Sequence, residues 1–126
     1  AGILLTYTKQ GGRPLILPKK VKVAYRDIAI EEFCPIKAAE AQRYGEYDNH
    51  KNVIRIDTSH GEVKAAYTLL HEIMHCVYFY YDMSQKDEEE AIVTKSSTGL
   101  IQVFRDNPDV MSYIFLCLTD PQKQGD

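Results

Sequence analysis

The sequence predicts an α+β domain: a small, mostly antiparallel sheet of about three strands packed on three to four helices. Three observations predict it. Short β-branched alternating runs, Val21 to Tyr25 and Val53 to Asp57, lie in the first half of the chain. Longer apolar runs with helical period fill the second half. Among these, His71-Glu72-Ile73-Met74-His75 sits inside the apolar run Ala65 to Tyr81 and marks a central, buried helix. A chain of 126 residues is of one-domain length and can bury a core without disulfides. Residues 1–126 therefore read as a single domain, with 1–18 a loosely attached segment and 119–126 a tail.

Ile3 to Thr8 is β-prone, and Gly11 and Gly12 make Gln10 to Pro14 a turn. Leu15 to Leu17, held between two prolines, is extended, because residues before proline avoid the helical region. Val21, Val23 and Tyr25 alternate with Lys22 and Ala24 as a strand does, and the lysines at 19, 20 and 22 suit a solvated edge. Asp27 breaks or bends this strand, and Ile28, Ile30 and Phe33 continue it. Pro35 to Arg43 carries good helix formers after a first-turn proline, and Gly45 ends that helix. Tyr44 to Asp48 and Val53 to Ile56 form a hairpin around the polar turn Asn49 to Asn52. Ser59-His60-Gly61-Glu62 has the form of a capping box and opens the motif helix, which runs to about Tyr81. Ser84-Gln85-Lys86-Asp87 offers a second cap for a helix from about Asp87 to Arg105. Asn107 then caps a last helix with Pro108 in its first turn, ending near Leu118.

His71 and His75 are four residues apart, which places both imidazoles on one face of a helix. There they can hold one Zn²⁺ from the same side, while Glu72 can take a proton from a metal-bound water. A surface pair of histidines on an ordinary helix fits poorly with the flanks Leu69, Leu70, Ile73, Met74, Val77 and Phe79. His50 reads as an exposed turn residue, and His60 as structural or exposed, about three turns from His71.

Catalytic zinc usually takes three protein ligands and a water. The acidic run Glu88, Glu89 and Glu90 supplies candidates, although acidic residues also simply suit the positive end of the helix that follows. At about 100° per residue, Val93, Ser96, Leu100, Val103 and Phe104 cluster around one direction, and Glu89 points into the middle of it. A carboxylate centred on an apolar stripe needs a cation. This favours Glu89 as the third ligand, ahead of Glu90 and then Glu88.

An H-E-I-M-H helix followed by a glutamate on the next helix resembles the gluzincin group of zincin metallopeptidases. More narrowly, it resembles the small ImmA/IrrE-type and phage-encoded H-E-x-x-H proteins. Glu89-Glu90-Ala91-Ile92-Val93 and Gly99 to Pro108 are similar to the phage-type members, and the strand Val53 to Asp57 leading into the motif helix fits as well. The resemblance covers residues 20–118 loosely and 53–108 well. It implies a minimal zincin in which a small sheet, a motif helix and a glutamate helix surround one zinc. In larger gluzincins the ligand glutamate is often followed by alanine, which would favour Glu90. The resemblance also implies an oxyanion-stabilising Tyr or His. Tyr78 lies on the face of His71 and His75 but reads better as a packed core tyrosine.

The expected activity is peptide-bond hydrolysis with Glu72 as general base, on a peptide or protein substrate that pairs with an edge strand, Val53 to Asp57 or Tyr44 to Asp48. The competing expectation is a non-catalytic zinc-binding domain, a regulatory or phage accessory factor that acts by protein–protein interaction. A net charge of −3 without a basic stripe argues against nucleic acid. No run approaches the roughly 18 apolar residues of a membrane span, and the N-terminus shows no signal pattern. Three widely spaced cysteines, Cys34, Cys76 and Cys117, read as buried free thiols in a reducing compartment. Together these give a monomer in the cytoplasm, the host cytoplasm for a phage protein.

Overall fold

The computed structural model describes residues 15–119. The Ile3 to Thr8 segment, the Gln10 to Pro14 turn and the tail beyond Thr119 lie outside them. Four strands, β1 (Lys20–Val23), β2 (Arg26–Glu32), β3 (Gly45–Asp48) and β4 (Val53–Ile56), form one sheet in the order β1-β2-β4-β3. The described helices are α1 (Pro35–Ala41), α2 (Glu62–Tyr80), α3 (Glu89–Asp106) and α4 (Pro108–Thr119), with a 3₁₀ turn at Thr58–His60.

The α+β class holds, but the sheet has four strands and is mixed. The bent strand expected around Asp27 is a hairpin: Ala24 turns left-handed at φ 56°, and Val23 pairs with Arg26. The β2–β4 pairing is parallel, with Ile30 beside Ile54. Alternation within a strand says nothing about its partner's direction. Here the long connection through α1 and β3 returns the chain to run alongside β2, as a parallel crossover requires.

One face of the sheet is apolar. Val21, Val23, Ile28, Ile30, Ile54 and Ile56 are buried on it, against Leu69, Ile73, Cys76 and Val77 of α2. Residues 15–18 are not loose: Pro18 is buried, Leu15 and Leu17 pack on the core, and the Leu15 N–H donates to Glu62 Oε2 at 3.1 Å. Cys34 is exposed, against expectation, while Cys76 and Cys117 are buried; all three are free thiols. Cys34 precedes Pro35 as the N-cap of the short surface helix α1, of which only Ala38 is buried.

The expected caps form differently. The chain enters α2 through Gly61, at φ 96°, a conformation that suits glycine. Ser59 does not cap α2. Its backbone N–H and its hydroxyl both donate to the buried Asp57, at 3.0 and 2.6 Å, which caps the 3₁₀ turn. Ser84 and Asp87 bond reciprocally, but in the turn ahead of α3. The Asn107 carbonyl accepts the Met111 N–H and starts α4, while its side chain reaches the sheet.

That reach closes one sheet edge. Asn107 Oδ1 accepts the Lys22 N–H at 2.7 Å, and its Nδ2 donates to the Lys22 and Val103 carbonyls, both at 2.8 Å. Gln102 adds a donation to the Lys22 carbonyl and accepts the Ala24 N–H at 2.6 Å. Two side-chain amides thus stand where a fifth strand would, and cover β1.

Candidate metal centre

The motif helix is buried on one side only. Its Ala65, Ala66, Leu69, Ile73, Cys76 and Val77 enter the core, while Tyr67, His71, His75, Tyr78 and Phe79 are exposed on the other side. The His71 and His75 rings stand 4.9 Å apart between centroids, at 72° to each other. Both line a cleft of about 640 Å³ between α2 and residues 43–49, and Glu72, Thr68 and Tyr78 line it with them. Tyr78 is thus a cleft residue, 40% exposed, and not the packed core tyrosine expected.

Glu72 lies at the base of the cleft and is 6% exposed. Burial pushes its carboxyl above the usual range, with the flanking His71 and His75 pulling the other way. Gly45 sets how closely β3 approaches the helix there. A Cβ on Gly45 would stand 2.6 Å from Thr68 Cγ2, 2.9 Å from the Arg55 carbonyl oxygen and 3.4 Å from Glu72 Cγ. This glycine does not end α1, as expected from the sequence; it opens β3 and lets the strand lie against the motif.

Among the described residues, β3 is the other edge of the sheet. It pairs antiparallel with β4 on one side, Glu46 beside Arg55 and Asp48 beside Val53. The Asp57 N–H donates to the Tyr44 carbonyl. Since the bonding side alternates along an antiparallel pair, Tyr44 and Glu46 face β4, and Gly45 and Tyr47 turn their N–H and C=O to the open side. Of the two candidate edge strands, β3 is therefore the edge, and β4 is interior.

Glu89 does not join the histidines. It is the first residue of α3 and is exposed, as are Glu88 and Glu90. The helical wheel placed it in a buried stripe, but only the later part of that stripe docks. Gly99 and Val103 are buried; a Cβ on Gly99 would meet Val77 Cγ1 at 2.5 Å and the Tyr81 ring. The first turns of α3 extend past this contact, leaving Val93 54% exposed. Among the described residues, no three His, Cys, Asp or Glu side chains are grouped to hold a metal. His71 and His75 fit a metal as two neighbouring imidazole donors open to solvent, and among the described residues no third protein donor completes a group with them.

His50 is exposed in the β3–β4 turn. His60 is structural: its Nε2 lies 3.2 Å from Asp57 Oδ2, and its ring packs edge-on against Tyr44 at 5.0 Å. Sequence reasoning missed the far end of the cleft. There the Lys64 ammonium lies 4.0 Å from the Tyr44 ring centroid and 6.0 Å from that of Tyr67. The available signal was spacing, since Lys64, Tyr67, His71, His75 and Tyr78 recur at helical period.

Comparison of the chain with protein-family models, curated proteins and solved structures finds no match. No described helix is long and apolar enough to cross a membrane.

Proposed function

We propose that this domain is a zinc-dependent peptidase of gluzincin type. One observation carries the reading: the two motif histidines and Glu72 line a cleft whose opposite wall is β3, the edge strand among the described residues. His71 and His75 would hold the metal, and zinc there would supply Lewis acidity and bring the pKa of a water down to about 7. An extended peptide adds to β3 through the Gly45 and Tyr47 backbone, which leaves every second carbonyl free of the strand and available to the metal site. Glu72 takes the proton of the attacking water and delivers it to the leaving amine nitrogen. The expected substrate is therefore a peptide or an unstructured protein segment.

The position of Glu89 favours a second reading. With two protein donors in place and the acidic run exposed, the same surface serves as a zinc-dependent docking site for a protein segment, without cleavage. The Glu72→Gln variant separates the two. Under the peptidase reading it keeps zinc, read by mass spectrometry of the native protein, and loses about 10²-fold or more of peptide cleavage. Wild-type protein that retains zinc and cleaves nothing in a broad peptide library supports the docking reading.

A further inference from the structure

Resting on the peptidase reading of the cleft, we infer that the domain selects acidic peptides, through Lys64 held on the rings of Tyr44 and Tyr67. The observation is a cation where the fold does not favour one. Lys64 is the third residue of α2, in the first turn, where the helix dipole prefers anions. Glu62, the first residue, follows that preference; Lys64 does not. Local rules are broken most often at functional sites.

The position of Lys64 is also prepared. Its ammonium sits over Tyr44 at 4.0 Å, and Tyr44 is backed on its ring by His60, which is itself held by the buried carboxylate of Asp57 at 3.2 Å. Its other ring contact is Tyr67. The nearby carboxylate on the facing strand is already matched. Glu46 meets Arg55 at 2.8 Å and Arg43 at 3.6 Å. This end of the cleft is therefore cationic in a chain whose net charge is −3. Aromatic rings fix the ammonium without neutralising it, so it remains able to bind an anion.

Distance sets the register. Lys64 and His71 are seven residues apart on one helix face, about 10 Å along the axis. An extended peptide advances about 3.3 Å per residue, so the acidic side chain lies about three residues from the scissile bond. β3 runs in the same sense as α2, with Gly45 beside Thr68 and Glu72, and the Tyr47 hydroxyl buried beside Cys76 and Tyr80. A peptide pairing antiparallel to β3 places its acidic residue on the C-terminal side of the cut.

The test uses fluorescein-labelled ten-residue peptides with a single Glu moved through successive positions, each with a Gln counterpart. Anisotropy with the zinc-loaded Glu72→Gln protein measures binding, and mass spectrometry of wild-type digests maps the cut. The expected result is about tenfold tighter binding of the Glu peptide in one register, weakened by KCl. Lys64→Met removes this preference while its circular dichroism spectrum stays that of the folded protein; Lys64→Arg keeps it. Equal binding of Glu and Gln peptides, absence of binding, or a preference that survives Lys64→Met overturns the inference. Cleavage without Glu preference overturns it alone, whereas Glu-selective binding without cleavage upholds the acid-selecting groove and removes the peptidase.

Discussion

Gly45 shows how much a single position can decide. It was visible in the sequence only as a helix stop, yet its missing Cβ lets β3 lie beside Thr68 and Glu72. Gly45→Ala is expected to destabilise the fold by about 1–3 kcal/mol, read as a lower urea midpoint, because the Arg55 carbonyl and Thr68 cannot both retreat. The cysteines differ just as sharply. The backbone N–H groups of Lys37, then Ile36, hold the exposed Cys34 thiol below its ordinary value, while burial pushes Cys76 up to about 12. A thiol reagent at neutral pH is therefore expected to modify one of the three cysteines in the native protein, Cys34, and all three after denaturation. The sequence treated the three alike, since burial of a short side chain depends on what packs over it. For His71 and His75 the residue scale was enough. A spacing of four fixes their common face in any helix, and the two rings stand together in the cleft.

At the scale of elements, the two sheet edges have opposite fates. β1 is covered by the amides of Gln102 and Asn107, and no described strand pairs with the outer side of β3 beside the motif. Asn107→Ala is expected to cost about 2–3 kcal/mol, because it leaves Lys22 backbone groups without these partners. Faster hydrogen exchange at the Lys22 amide than at Ile54, in the interior strand β4, is the readout. Asn107 looked like an ordinary helix cap, and its bonds to a strand 85 positions earlier lie beyond any local pattern. The same limit explains Glu89. Helical period correctly describes a stripe along α3, but not how far a neighbouring helix covers it, and contact is made at Gly99 and Val103. Glu89 remains the residue that the sequence nominates for a third ligand. With Glu89 exposed and apart from the histidines, Glu89→Ala is expected to leave zinc affinity unchanged, measured by competition with a chelating dye; a loss of about tenfold or more would restore it as a ligand.

For the whole molecule, the core and the candidate centre are largely separate. The apolar face of the sheet meets one side of α2, and the histidines occupy the other. Removal of metal by EDTA is therefore expected to leave the circular dichroism spectrum folded. Zinc at a hundred times its dissociation constant adds about 2.7 kcal/mol, seen as a raised thermal midpoint that His71→Ala abolishes. By itself the sequence determined the α+β class, the helix and strand positions to within a few residues, and the shared face of His71 and His75, because these follow from hydrophobic period and local backbone chemistry. Only the tertiary structure decided the parallel pairing of β2 with β4, the open edge at β3, the cationic end of the cleft at Lys64 and the exposure of Glu89. Each of these depends on which elements meet and where their contact ends, and that is set by long-range packing rather than by neighbours along the chain.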